Sequence, residues 1–177
     1  MKVTLAIDTS TARTQFAVLN GNELKWLQIE DGATTHGDVL AKFGELAARE
    51  EIDQVIVGMG PGPFTGLRTG IIFAKSFAFG RGLPIHGVCS LDAIAFGITL
   101  PEFIIATDAR RKEIYWARYK DGVRVEGPAV NKPSEVADFI LGQYPDMRKL
   151  TSLASEQNVR EPMYLRRPDA VPTAERT

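Results

Sequence analysis

From its first residues the chain alternates. Val3, Leu5 and Ile7 fall on one side and Lys2, Thr4 and Ala6 on the other, which predicts a strand over 1–7 that ends at Asp8-Thr9-Ser10. A second strand is expected over 15–19 and a third over 24–29, joined by a hairpin turn at Asn20-Gly21-Asn22. After a polar loop from Gly32 to Gly37 the period changes. Val39, Leu40, Phe43, Leu46 and Ala47 form the stripe of a helix that starts near Asp38 and ends near Arg49. A short apolar strand over 55–57 then runs into a loop holding Gly58, Gly60 and Gly62, with Pro61 and Pro63 between them. Thr65 is read as the N-cap of the next helix, which reaches Gly80 or Gly82. A strand over 83–88 follows, then a short helix over 91–97 capped by Ser90.

The helix after the glycine loop is the unusual element. Gly66, Gly70, Ala74 and Ala78 make a ridge of small residues along one face, which lets another element approach the backbone closely. Leu67, Ile71, Ile72, Phe73, Phe77 and Phe79 cover most of the remainder, and Arg68, Lys75 and Ser76 are the polar positions. A helix apolar nearly all round is expected to be buried nearly all round. Each interior glycine costs about 1 kcal/mol relative to alanine, so close packing must offset it. Two readings fit: a central helix wedged between its own sheet and a second helix, or a helix with one face on its sheet and the other on a partner protein.

Near Phe103 the pattern begins again. Laying L-A-I-D-T-S over I-A-T-D-A-R puts Ala6 on Ala106, Asp8 on Asp108, Phe16 on Trp116 and Ala17 on Ala117 without a gap. Both copies read strand, aspartate turn, strand, hairpin turn, strand, the second hairpin at Asp121-Gly122. This predicts a duplicated β-β-β-α-β-α-type unit, with a first unit over 1–100 and a shortened second unit over 101–177. In the second unit a strand over 123–126 is followed by a helix from Ser134 to about Leu141. A surface tail is expected from Pro162, because three prolines and several charges fill the last residues.

Composition narrows the class. With 177 residues, 44% hydrophobic, 24% charged and net charge −1, the chain reads as a soluble globular protein without a basic face for nucleic acid. The single cysteine, Cys89, excludes a disulfide framework, and its apolar surroundings make it a small core residue. No leader and no apolar run of membrane length stand out, so a cytoplasmic location with no membrane association is expected.

Candidate chemistry is sparse. The glycine loop is not a P-loop, since the nearest lysine, Lys75, lies two turns into the helix. A dinucleotide fingerprint fails as well, because Thr65 stands where the third glycine belongs. Asp8 and Asp108, at the ends of equivalent strands, could hold a metal–phosphate across a cleft, with Thr9 and Ser10 donating to phosphate oxygens. The plainer alternative is that such aspartates satisfy their own turns. No metal site is expected, because neither His36 nor His86 has a second ligand at suitable spacing, and no Ser-His-Asp pattern or nucleophile elbow supports a peptidase. No catalytic residue is assigned.

The stretch G-P-G-P-F-T-G-L-R-T-G, from Gly60 to Gly70, resembles the glycine signature of the TsaB (YeaZ) family. D-T-S at Asp8, the loop histidine His36, S-L-D-A-I-A from Ser90, D-A-R from Asp108 and P-M-Y-L-R from Pro162 are similar to that family too. Pro63 departs from it, standing where the family has serine. The resemblance implies a duplicated ribonuclease-H-like α/β fold of the actin/sugar kinase/Hsp70-like ATPase type. It also implies a non-catalytic subunit that pairs with a catalytic paralogue, TsaD, and works with an ATPase, TsaE, to add a threonylcarbamoyl group to an adenosine beside the tRNA anticodon. A homodimer is the other pairing it implies, with tRNA met only through the complex.

Carried over residue by residue, the pairing surface would use His36, Val39, Leu40, Phe43 and Leu46 on the first helix. On the second it would use Phe64, Thr65, Leu67, Arg68, Gly70, Ile71, Ala74, Lys75 and Ala78. No cofactor is implied for the chain itself, ATP or ADP entering only at the complex interface. An enzyme of the phosphotransferase type built on Asp8 and Asp108 is the alternative reading.

Overall fold

The computed structural model describes residues 1–32, 36–142 and 144–166, with only the backbone of His36 described. Strands β1 (Val3–Asp8), β2 (Thr14–Asn20) and β3 (Glu23–Glu30) form the expected meander. Helix α1 (His36–Ala48), strand β4 (Gln54–Gly58), helix α2 (Phe64–Arg81) and strand β5 (Ile85–Val88) follow. Together they build a five-stranded sheet of order β3-β2-β1-β4-β5, antiparallel among the first three strands and parallel from β1 to β5. The near-continuous apolar runs of β1 and β4 follow from burial on both faces.

Helices α1 and α2 share one face of that sheet. Leu40, Phe43 and Ala47 of α1 and Leu67, Ile71, Ala74 and Ala78 of α2 close over Leu5, Ile7, Phe16, Val18, Val55 and Val57. The opposite face is covered by α3 (Ser90–Ala95) and by α4 (Met147–Leu153), through Ala93, Met147, Leu150 and Leu153. A second, three-stranded antiparallel sheet holds β6 (Glu102–Asp108), β7 (Ile114–Lys120) and β8 (Val123–Asn131), in that order. Helix α3 wedges between the sheets, its Leu91, Ile94 and Ala95 meeting Phe103, Ile105, Ala117 and Tyr119. The fold is the duplicated ribonuclease-H-like α/β arrangement, with a shortened second half.

Several local expectations are corrected. Helix α2 starts at Phe64 with Pro63 at the N-cap and no side-chain cap. Thr65 lies inside the helix, where its carbonyl accepts from the Thr69 hydroxyl at 2.7 Å. The helix does end where glycine predicts: Gly82 is left-handed (φ 64°) and its N–H donates to Ala78 and Phe79 carbonyls. Ser90 is the first residue of α3 and not its cap, because its hydroxyl serves the end of β1.

The helix expected from Ser134 does not form. Pro133–Glu135 makes one 3-10 turn, and the chain then passes through bends at Val136 and Asp138 to Ile140, which bridges Ile105 in parallel. Val136 and Phe139 pack against Ile104 and Trp116, whereas the adjacent Ile140 packs against Ile105 and Phe103. Phe139 and its neighbour Ile140 thus send their side chains to opposite faces of the second sheet, as an extended segment does. In its place α4 forms later, its first turn capped by Asp146, which accepts from the Arg148 and Lys149 amides.

Candidate functional site

At the carboxyl end of β1 the chain turns through Asp8-Thr9-Ser10, and the glycine loop folds directly over this turn. Asp8 is fully buried. Its Oδ1 accepts from the Ser10 amide (2.9 Å) and hydroxyl (2.7 Å), and its Oδ2 accepts from the Ser90 hydroxyl (2.7 Å). Ser90 Oγ in turn accepts from the Gly60 amide at 3.2 Å. Burial pushes the Asp8 carboxyl above its ordinary value, and the serine hydrogen bonds offset this in part.

The glycines are explained by this packing. A Cβ on Gly58 would overlap Asp8 Oδ2, one on Gly62 would overlap the Ser10 backbone, and one on Gly70 would overlap the Thr9 side chain. Thr9 Oγ1 donates to the Gly66 carbonyl at 2.9 Å. The small-residue ridge of α2 thus lies against the chain's own β1 turn, and Gly70, Ala74, Ala78, Leu67 and Ile71 are buried in the chain's own core. That corrects their reading as surface offered to a partner, and the burial of Leu40 and Phe43 of α1 in the same core corrects theirs.

A cavity of about 270 Å³ separates the two halves. Thr11, Ala12 and Pro63 line it from the first half, and Thr107, Asp108 and Arg110 from the second. Of the four candidate phosphate contacts only Asp108 reaches this cavity; Asp8, Thr9 and Ser10 are buried beneath the glycine loop. Asp108 Oδ1 accepts from the Arg110 amide at 2.8 Å, the turn-forming role. Arg110, Arg111 and Lys112 all take positive φ (60°, 54° and 63°), a left-handed run that costs roughly 1 kcal/mol or more per residue. Thr107 Oγ1 is the one buried side-chain polar atom without a hydrogen-bond partner among the described residues.

The other assembled surface is the solvent side of the α1/α2 layer. The two helices are locked together: the Phe73 ring crosses where Gly44 lacks a Cβ, and Arg81 donates to the Ala48 and Glu50 carbonyls at the end of α1. Val39, Leu46 and Phe64 are half-buried, while Thr65, Arg68 and Lys75 are exposed. His36 opens α1, and its side chain lies outside the described residues. Two residues that the sequence reading placed among the buried ones face solvent instead: Ile72 is 51% exposed and Phe79 is 90% exposed. Beside Phe79 runs a groove of about 510 Å³ lined by Lys75, Ser76, Ala78, Leu83 and Ile85.

Cys89 is inert by position. It is fully buried, receives a hydrogen bond from Arg124 (3.0 Å), and burial together with the Asp92 charge pushes its thiol up to about 12. Asp92 also accepts from Tyr119 and Gln157, both at 2.7 Å, so this polar cluster pins the second sheet to α3. Native chain at pH 8 is expected to leave Cys89 unmodified by a thiol reagent over an hour, with one equivalent reacting after unfolding in guanidinium. Rapid labelling of folded protein would contradict this placement.

The carboxyl-terminal segment is an ordered strap as far as Arg166. Val159 donates to the Gly87 carbonyl and Met163 to the Met59 carbonyl, at 2.8 and 2.9 Å, and Tyr164 packs on Phe64. Arg166 pairs with Glu113, so this arginine is spent within the chain; Arg167 and the rest of the tail lie outside the described residues. Among the described residues no helix is long and apolar enough to cross a membrane.

Residues 40–172 match the family model for TsaD, tRNA N6-adenosine threonylcarbamoyltransferase. An uncharacterized protein of Mycobacterium tuberculosis is 38% identical over 200 aligned positions, covering 96% of this chain and 94% of that one. The tRNA threonylcarbamoyladenosine biosynthesis protein TsaB of Escherichia coli is 33% identical over 134 positions, covering 66% of this chain and 54% of that protein. In three dimensions the chain is similar to YeaZ from Pseudomonas aeruginosa, with a TM-score of 0.72, 25% identity, and 88% and 92% of the two chains covered.

Proposed function

The chain belongs to the TsaB family of tRNA threonylcarbamoyladenosine biosynthesis proteins, and from that membership we propose that it is a non-catalytic subunit that pairs with a TsaD-type transferase. The observation that carries the pairing is Phe79, 90% exposed beside Ile72, on a helix whose opposite face is buried against its own sheet. A large aromatic left in water next to an apolar groove is the anatomy of an interface anchor. The strongest acid–base candidate, Asp8, is held entirely by internal serines, which favours a structural over a catalytic role. In this reading the transferase, together with a TsaE-type ATPase, supplies the chemistry and the contact with tRNA in the cytoplasm. The cavity between the halves would offer a nucleotide Thr11, Thr107, Asp108 and Arg110, with the remaining contacts coming from the partner.

The test is co-purification with the TsaD-type protein of the same organism, with stoichiometry read by light scattering and threonylcarbamoyl transfer assayed on tRNA. A stable pair that supports transfer is expected, and Phe79→Ser should weaken pairing by at least tenfold, the scale of about 1.4 kcal/mol. A folded chain that neither pairs nor supports transfer would overturn the assignment.

A further inference from the structure

The left-handed run at Arg110, Arg111 and Lys112 and the carboxyl-terminal strap meet at one place. The three residues are exposed and form the turn between β6 and β7. The Ala109 amide donates to the Glu113 carbonyl and the Glu113 amide to the Arg110 carbonyl, at 2.9 and 3.0 Å, which closes the turn. Residues with side chains enter this region at a cost, so a run of three persists only where its surroundings hold it. Arg166 grips the turn at both ends. Its Nη1 donates to the Ala109 carbonyl at 3.3 Å, and its guanidinium pairs with the Glu113 carboxylate.

The strap reaches this place by a fixed route. Gln157 opens it: its Oε1 accepts from the Cys89 amide at 3.2 Å and its Nε2 donates to Asp92 at 2.7 Å. Val159 packs in the core of the first half beside Gly87, where a Cβ would overlap the Val159 carbonyl, so the strap passes where glycine leaves room. The Met163 amide is bonded to Met59 at the start of the glycine loop, while its side chain packs with Leu91, Ile105 and Tyr119 of the second core. Tyr164 lies on Phe64, ring centroids 4.8 Å apart, at the first residue of α2. Phe64 follows Pro63, which lines the cavity from the first half, and Ala109 stands between Asp108 and Arg110, which line it from the second. The strap therefore ties one wall of the cavity to the other.

We infer that residues 157–166 are a latch across the two halves, in which Arg166 is the positioning residue that keeps the 110–112 turn left-handed. Tyr164 and Arg166 are separated only by Leu165, so displacing Tyr164 from Phe64 draws Arg166 off the turn. The head of α2 and the basic rim of the cavity are coupled through this one strap. The latch is a property of the chain alone and does not rest on the proposed pairing.

Trypsin reads the turn directly, because it cleaves after arginine and lysine in extended chain, which this turn offers only when it opens. At low protease the cleavage rate follows the open population. Arg166→Ala is expected to speed cleavage after Arg110, Arg111 or Lys112 at least about tenfold, with the sites assigned by mass spectrometry. Cleavage after Lys120, in the next hairpin, is the internal reference and should not change. Tyr164→Ala, whose ring lies on Phe64, should speed the same cleavage at least about threefold. The double variant should be cut no faster than Arg166→Ala, since both act through one strap. Arg166→Lys keeps a charge for Glu113 but loses the fork that spans both ends, and should fall between wild type and Arg166→Ala. Where Arg166→Ala does not accumulate as folded protein, Arg166→Lys and Tyr164→Ala carry the test. A turn cut in the folded Arg166 variants no faster than in wild type overturns the inference, and so does a Tyr164→Ala chain cut there at the wild-type rate.

Discussion

Gly70→Leu is expected to melt about 10 °C below wild type, or to fail to accumulate as folded protein, whether or not a partner is present. The space for a side chain at Gly70 is already filled by Thr9, whose hydroxyl is tied to the Gly66 carbonyl one turn earlier. Thr9 cannot withdraw, because it sits between Asp8 and Ser10, both buried and hydrogen-bonded to each other. A leucine must therefore push α2 off the sheet and open the contacts of Leu67, Ile71 and Ala74 with β1 and β4. Overpacking of a tight core costs roughly 1–3 kcal/mol, and more where backbone must move. At about 2–4 °C per kcal/mol for a chain of this size, the expected shift follows. Thermal unfolding by circular dichroism measures it, with Lys75→Leu as the control: that side chain is exposed and should leave the melting temperature nearly unchanged. Equal melting of both variants would show that the ridge does not pack as described.

The same substitution shows how far the sequence could be read. Alternation and the change to helical period placed the strands of the first sheet and the first two helices within about two residues, since β1, β4 and the stripe of α1 carry unambiguous patterns, whereas β8 continues to Asn131, past its expected end at Glu126. The ridge at Gly66, Gly70, Ala74 and Ala78 announced a close approach but could not name what approaches; the family resemblance pointed to a partner, while the neighbour in the fold is Thr9. Ile72 and Phe79 were hidden for the complementary reason. On a helix apolar all round, hydrophobicity alone cannot tell the face that meets the sheet from the face left in water, and only the fold separates them.

Capping residues misled in two places because hydroxyls have competing uses. Ser90 is spent on Asp8 and Thr65 lies one residue inside its helix, so neither caps. Helix α4 was legible in principle. Asp146 followed by Met147, Leu150 and Leu153 is a capped stripe, but it is only two turns long and its partners belong to the first sheet, far away in sequence.

Asp8 separates two kinds of substitution. Asp8→Ala removes the acceptor shared by the Ser10 amide and hydroxyl and by the Ser90 hydroxyl, all of them buried. Leaving such donors unpaired costs about 1–3 kcal/mol each, so a loss of about 3 kcal/mol or more is expected, read as a fall of about 10 °C in melting temperature. Asp8→Asn keeps the oxygen that accepts from Ser10, and its amide can donate to Ser90 Oγ, so it should fold with stability near that of wild type.

The pH dependence distinguishes the two forms further. Burial raises the Asp8 carboxyl in the folded chain above its value in the unfolded one, so the folded state holds the proton more tightly. The stability this supplies is fully present below the unfolded value and is lost as pH rises through the folded value, with a slope of up to about 1.4 kcal/mol per pH unit. Wild type should therefore lose a component of stability on going upward from the ordinary carboxylate range, and Asp8→Asn should lack that component. Identical pH profiles for the two chains would mean that the carboxyl of Asp8 is not shifted by its burial. An Asp8→Ala chain as stable as wild type would mean that the turn under the glycine loop does not depend on it.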